Sequence, residues 1–260
     1  MNYIIGKPLG AGVFATVYSG VRRNDGMLVA MKFIDKRTLQ KNFVWSTRCR
    51  RFVPFEIHLL EKANNIPGVI RVIDWYETMQ HVVIVMERRD TLITLQEYIQ
   101  RKGFLCENEA RDITRQLAFT IKNFMSVGVF HGDIKPNNIL IDVETRETKI
   151  IDFGVGDVFC KGQYTRFWGA ASLKPPEWFR LGSYGAEEAT VWSLGLVLLI
   201  MLTGSSPFPT QKDIAACHLY KVVPYNLSQS CKNLIFHCMT SDPSRRSQLD
   251  EIISHQFLLC

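Results

Sequence analysis

Over roughly the first third of the chain, apolar residues run in short β-branched and aromatic blocks separated by turn residues. Ile4-Ile5, Val13 to Ser19, Leu28 to Ile34, Val69 to Tyr76 and Val82 to Met86 are such blocks, and Asn24-Asp25-Gly26 supplies a turn. This pattern predicts strands. One helix interrupts them: Phe55, Ile57, Leu59, Leu60 and Ala63 form a helical stripe, with Pro54 expected at its first turn. From about residue 92 the period changes. Glu107 to Val127 carries Ala110, Ile113, Leu117, Ile121 and Phe124 at spacings of three and four. Ile139 to Ile141 and Thr148 to Ile151 predict a strand pair around Glu144-Thr145-Arg146. Further helices are predicted over about 187–203, 212–219, 228–239 and 248–254. The fold class is therefore α+β, with a sheet-rich lobe over about 1–86, a connection over about 87–91 and a mainly helical lobe over about 92–260. A cleft between two such lobes is the expected ligand site.

Composition changes this picture little. Hydrophobic residues make up 47% and charged residues 22% of 260, which fits one soluble globular unit with a substantial core. The net charge of +6 reads as a solvated basic surface, so neither nucleic acid nor membrane is expected as a partner. The seven cysteines form no CxxC pair, which argues against a zinc site, and their number and spacing argue against a secreted disulfide scaffold. The N-terminal residues lack the pattern of a secretory signal. The most apolar stretch, Leu194 to Leu202, is about half a membrane span and reads as a buried helix. A monomer working in the cytoplasm, and also the nucleus, is expected.

Four motifs carry chemistry. Gly10-Ala11-Gly12-Val13-Phe14-Ala15-Thr16-Val17 lies between two strands, where glycines let backbone N–H groups approach phosphates. A plain Gly-rich hairpin reads equally well from these residues alone. No helix follows, so it is not a Rossmann fingerprint, and Ala15 must keep a negative φ. Val29-Ala30-Met31-Lys32 follows on the next strand, and Glu56 on the helix is placed to hold the Lys32 ammonium for phosphate binding. His131-Gly132-Asp133-Ile134-Lys135-Pro136-Asn137-Asn138 sets a carboxylate, an ammonium and an amide between a long helix and a strand. Asp133 can orient a hydroxyl, Lys135 can neutralise a moving phosphoryl group, and Asn138 offers an oxygen to Mg²⁺. A polar loop with an Asx turn is the bland alternative. Ile151-Asp152-Phe153-Gly154 adds a second metal-ligating carboxylate, with Phe153 packing inward. Pro175-Pro176-Glu177 and Val191 to Gly195 follow, and Arg246 could pair with Glu177.

In this order and spacing the motifs resemble the protein-kinase signature set from about Tyr3 to Phe257, with Lys135 favouring the Ser/Thr class. The chain is most similar to the PIM family of Ser/Thr kinases. The resemblance rests on Val53-Pro54-Phe55-Glu56, Asp74-Trp75-Tyr76-Glu77, Glu87-Arg88, Asn138 to Asp142, Pro175 to Trp178 and Ala189 to Gly195. It implies a bilobal kinase fold, ATP and Mg²⁺ as cofactors, and Ser/Thr-containing protein substrates with basic motifs. It also implies activity without activation-loop phosphorylation. The implied nucleotide-binding set is Leu9, Gly10, Gly12, Phe14, Val17, Ala30, Lys32, Met86, Glu87, Arg89 and Leu140. Asp133, Lys135, Lys32 and Glu56 are the implied catalytic residues, and Asn138 and Asp152 the implied metal ligands.

Five positions depart from the wider pattern. Gly132 replaces the arginine that grips an activation-loop phosphate, and is expected to loosen the loop. Ala170 lacks a hydroxyl that would bridge Asp133 and Lys135. Arg89 replaces the PIM hinge proline and so restores a backbone N–H. Pro136, Asn137 and Thr94 stand where the family has acids, leaving Glu97 and a weaker basic preference. Thr190 replaces the aspartate of most kinases, as in the PIM family. An ATP-binding module with negligible turnover is the alternative these changes leave open; a nucleotide-free interaction domain is disfavoured by the intact Lys32 and Asp152. His131 and Trp75, Trp178 and Trp192 are expected to pack structurally, and Arg48 to Arg51 to form a solvated connection.

Overall fold

The computed structural model describes residues 2–12, 15–39, 43–46 and 50–259; the expectations for Val13, Phe14, Arg48 and Cys49 fall outside them. The chain divides into two compact units, one of residues 1–65 and 69–92, the other of 66–68 and 93–260.

The first unit is built on strands β1 (Tyr3–Ala11), β2 (Ala15–Arg22), β3 (Leu28–Asp35), β4 (Phe43–Ser46) and β5 (Arg51–Pro54). Helix α1 (Phe55–Ala63) and strands β6 (Val72–Glu77) and β7 (His81–Glu87) complete it. Five strands pair antiparallel in the order β1-β2-β3-β7-β6. Alternation puts Val29 and Met31 on one face with Val83 and Val85, where Tyr3 joins a buried cluster. The predicted strand from Val69 begins only at Val72. Pro54 stands one place earlier than expected, at the α1 N-cap rather than in its first turn.

Strands β4 and β5 pair antiparallel, so Arg51 of the basic run lies on a strand, exposed, and the exposed Arg50 before it has a φ of 51°. Trp45 and Phe52 meet edge to face across the strand pair at 5.4 Å. Arg51 lies 3.9 Å over the Trp75 ring.

Strand β8 (Leu92–Thr94) carries the boundary. The second unit then contains α2 (Leu95–Lys102), α3 (Glu107–Ser126), β9 (Val129–Phe130), β10 (Ile139–Asp142) and β11 (Thr148–Ile150). The segment after it forms β12 (Asp157–Val158), β13 (Gln163–Tyr164), α4 (Pro176–Leu181) and β14 (Tyr184–Gly185). Helices α5 (Ala186–Thr203), α6 (Gln211–Ala216), α7 (Leu219–Val222), α8 (Gln229–Cys238), α9 (Leu249–Ile253) and α10 (Gln256–Leu259) close it. Helix α2, which the periodicity did not separate, begins with a capping box in which Thr94 and Glu97 bond each other's backbone N–H. The helix expected over 212–219 breaks in two because Cys217 turns left-handed, with a φ of 46°.

Helix α5 is the spine of this unit. By length and composition it could cross a membrane, yet 78% of it is buried inside the protein. Trp192 is fully buried on it, stacked on Phe208 at 6.1 Å. Gly195 is required there, since an added Cβ would come within 2.6 Å of Cys238 and Met239. Burial pushes the Cys238 thiol up to about 12, so it serves as a small apolar group at neutral pH.

The expected Glu177–Arg246 pair is present and buried. Both guanidinium NH₂ groups reach the carboxylate, at 2.8 and 2.7 Å, with the side chains 1% and 0% exposed. Arg246 also donates to the Thr240 and Glu188 carbonyls. One side chain therefore ties α4 and α5 to the C-terminal segment. Arg246→Met should destabilise the second unit by about 3–5 kcal/mol, because it strands a buried carboxylate, whereas pairing it with Glu177→Leu should recover much of that loss. Chemical denaturation of the three variants measures both effects.

Candidate active site

The two units each carry a cluster of the expected residues. In the first, register does the positioning. Val17 pairs with Lys32 and Lys32 with Ile84; Ser19 pairs with Ala30 and Ala30 with Met86. Cross-strand partners share a face, so Val17, Ala30, Lys32 and Met86 all project from the side of the sheet opposite the Val29–Met31 cluster. Gly10 is the cross-strand partner of Val17 on β1, and Leu9 beside it is 51% exposed. The Gly12 N–H donates to the Ala15 carbonyl at 2.8 Å.

Lys32 meets Glu56 of α1, with Nζ to Oε1 at 2.6 Å and both residues 8% exposed. A lysine so buried must be matched by charge, and Glu56 supplies it from the helix's first turn. At the end of β7, Glu87 is fixed on both sides. Its N–H donates to the Arg71 carbonyl, and its carboxylate accepts the Arg71 N–H, both at 3.0 Å. The Arg89 carbonyl accepts the Leu92 N–H at 3.2 Å.

In the second unit the loop between β9 and β10 centres on Asp133, which is 7% exposed. Its Oδ1 accepts the Ala170 N–H at 2.8 Å. Its Oδ2 meets Lys135 Nζ at 2.6 Å and Asn138 Nδ2 at 2.7 Å. Both oxygens of Asp133 are thus met without a hydroxyl at 170: the Ala170 backbone amide takes one, and Lys135 reaches the other directly. Asn138 Nδ2 also donates to the Asp133 carbonyl, which turns the amide oxygen away from Asp133. The Ile151 N–H donates to the Asn138 carbonyl at 2.9 Å, placing Asp152 just beyond it. Leu140 follows on β10, half-buried.

Gly132 adopts a left-handed backbone in this loop. Its φ is +75°, a region that costs other L-residues about 1–2 kcal/mol, so glycine relieves strain there. Its carbonyl also lies 2.3 Å from where a Cβ on Gly169 would sit, a contact only glycine at 169 permits. Asp152 has a φ of 66°, which Asp tolerates better than most residues. Phe153 is buried and meets His131 at 4.6 Å and Phe124 at 5.9 Å, anchoring the residue after Asp152. Thr190 turns back on its own helix, bonding the Ala186 carbonyl at 2.7 Å.

An amide oxygen at Asn138 and a carboxylate at Asp152 form a donor set suited to Mg²⁺, which takes one or two protein oxygens and completes its shell with water and substrate phosphates. No group of three or more His, Cys, Asp or Glu that could hold a metal occurs among the described residues.

The segment after Asp152 is ordered by aromatic packing that residue-by-residue reading missed. Tyr164 lies 5.2 Å from Phe130 and 5.6 Å from Tyr184, and Phe167 lies 5.3 Å from Tyr184. Phe130, Tyr184, Ala186 and Ala189 form the buried part of this cluster. The signal in the sequence was the density of aromatic residues between 159 and 184, with no period to organise it.

Comparison with known proteins agrees with this arrangement. The model of the protein kinase domain family matches residues 3–258. The chain belongs to the protein kinase domain family. Over 99% of its length this kinase domain is 39% identical to the serine/threonine-protein kinase prk-2 of Caenorhabditis elegans and 36% identical to the serine/threonine-protein kinase pim-2 of Danio rerio. It is 31% identical to the testis-specific serine/threonine-protein kinase 2 of Mus musculus. It spans 58% of the first of these relatives, 85% of the second and 73% of the third.

His131 in the kinase domain is buried and structural. Its Nε2 lies 2.9 Å from the Ile151 carbonyl, and its Nδ1 accepts the Asp133 N–H at 3.2 Å. That pattern requires the neutral ring with the proton on Nε2. Burial lowers its pKa below the usual 6.5, outweighing the Ile151 carbonyl and the Asp152 and Asp133 charges. The unfolded chain takes up this proton as pH falls through about 6.5, but the folded chain resists until lower pH. His131 therefore costs nothing above pH 6.5 and destabilises the fold progressively below it. The melting temperature should drop between pH 7 and 5, and His131→Gln should flatten that slope; an unchanged slope would show that other groups set the acid sensitivity.

Proposed function

We propose that this kinase domain is a catalytically active serine/threonine protein kinase that transfers the γ-phosphoryl group of ATP to Ser or Thr hydroxyls. We propose further that it needs no phosphate on the segment after Asp152. The observation that carries the first reading is the setting of Asp133. Its carboxylate is held on both oxygens by Ala170, Lys135 and Asn138, and none of these bonds calls on the side chains absent at 132 and 170.

In this reading Asp133 accepts the hydrogen bond of the substrate hydroxyl, aims its oxygen at the γ-phosphorus and takes up its proton. Lys135 stabilises charge on the transferring group. Lys32, fixed by Glu56, holds the α- and β-phosphates. Leu9, Gly10, Gly12, Val17, Ala30, Met86 and Leu140 are assigned to the nucleotide. Glu87 and the backbone N–H of Arg89 meet the adenine edge. Asn138 and Asp152 would hold Mg²⁺, which when bound would supply neutralisation of phosphate charge. Positioning and electrostatics supply most of the rate.

The second part is supported by Gly132 and the aromatic cluster. Gly132 offers no cation to a phosphate, and ring stacking around Tyr164 supplies order that a phosphate–arginine pair would otherwise provide. Substrates are Ser/Thr-containing proteins, with basic motifs favoured only as far as Glu97 and other remaining acids allow. A monomer acting in the cytoplasm and nucleus completes the reading.

Asp133→Asn should lower phosphate transfer from Mg-ATP to a Ser-containing peptide by roughly 10²- to 10⁴-fold. Absence of transfer in the wild type, with a nucleotide-induced melting shift retained, would instead make the chain an ATP-binding module. Phosphatase-treated protein should keep its turnover; a loss of orders of magnitude would restore the phosphate switch.

A further inference from the structure

The second unit contains a groove of about 180 Å³ beside the Asp133 loop. Drug-sized ligands occupy pockets from roughly 300 Å³ upward, so this one suits a single side chain. Its floor is apolar: Pro136, Leu173, Leu196 and Ile200. Leu173 and Leu196 are buried, while Ile200 is only half-buried. Its exposed rim includes Ser172, Ser205 and Ser206.

Among the described residues, Lys135 is the one charged residue lining it, and no carboxylate does. Lys135 is also the residue whose ammonium sits 2.6 Å from Asp133. On the opposite wall, Leu173 ends the short turn that begins just after Ala170, whose N–H holds the other Asp133 oxygen. The groove is thus continuous with the residues that fix the carboxylate.

Resting on the kinase reading above, we infer that this groove receives a residue flanking the phosphoacceptor in the substrate and selects an uncharged aliphatic side chain there. An arginine or lysine entering it would lose its hydration, meet no carboxylate and face the Lys135 ammonium. An aliphatic side chain would bury its carbons against Leu173, Leu196 and Ile200 at no electrostatic cost. Ile200 sets this choice, because it is the half-buried member of the apolar lining and so can meet an incoming side chain. A single acid at that point, or on the rim at Ser206, would invert the preference.

The test uses Ser-centred peptides in which each flanking position in turn is Leu, Arg or Asp, with Mg-ATP and the full chain. The readout is the ratio of kcat/KM between peptides within one protein, which does not depend on how much of a variant is folded. The wild type should favour Leu over Arg by about tenfold or more at one flanking position. Ile200→Asp, and independently the exposed Ser206→Asp, should turn that ratio toward Arg at the same position. Efficient transfer with Arg equal or better at every position, with Asp best at the affected one, or with ratios unmoved in both variants, would overturn the groove assignment and leave the kinase reading standing. No transfer to any peptide, with nucleotide binding intact, would overturn the kinase reading and the groove's role with it.

Discussion

A carboxylate that is 7% exposed must have both oxygens met by donors, and much of the second unit's local geometry follows from meeting that demand at Asp133. Lys135 and Asn138 reach one oxygen from the same loop. The other can be reached only by bringing a distant segment close, which Ala170 does with its backbone. That approach requires Gly169 to pass within contact of the Gly132 carbonyl, where a Cβ would sit at 2.3 Å. It also sets the left-handed turn at Gly132, which presents that carbonyl. His131 then completes the frame from below, accepting the Asp133 N–H and bonding Ile151, one residue before Asp152. Two glycines, one backbone amide and one neutral imidazole thus hold an ionised side chain in a fixed direction.

The segment after Asp152 illustrates two ways to order a loop. A phosphate paired with arginine contributes a strong bond that can be added and removed, so it makes a switch. Packed rings contribute area, are always present, and answer to no enzyme. Here β12 pairs with β9 and β13 with β14, while Phe130, Tyr164, Phe167 and Tyr184 fill the space between. With glycine at 132 the cation for the first solution is gone, and the rings supply the second. On the proposed reading the two features fit together: a chain without the switch can use the left-handed glycine that relieves the loop before Asp133.

What could be read from the sequence follows from where the chemistry resides. Lys32, Glu56, Asp133, Asn138 and Asp152 act through their own side chains at short, fixed spacings, so identity and order were enough to single them out. The long helices and the central strands were equally plain, because their periods extend over many residues. Backbone chemistry was not. Ala170 looked like a loss because a missing hydroxyl is visible in a sequence, while the amide that meets Asp133 belongs to every residue but proline. Gly132 looked like slack because glycine is permissive, and only its φ shows that the permission is used. The β4–β5 hairpin was too short to show a period, and Cys217 breaks a helix with a left-handed turn that its residue type does not announce.

The groove was hidden for a different reason. Its walls come from residues 96, 135–137, 172–173, 196, 200 and 204–206, which meet only after folding. This separates two kinds of constraint on the domain. The groups that hold Asp133 are coupled: removing one leaves a buried charge unsatisfied, so the set changes together or not at all. The groove residues are not coupled in this way. Replacing Ile200 by an acid would remove no hydrogen bond, and Ser205 and Ser206 are exposed. On the groove assignment, selectivity for substrate can therefore change by a single substitution, whereas the frame around Asp133 cannot.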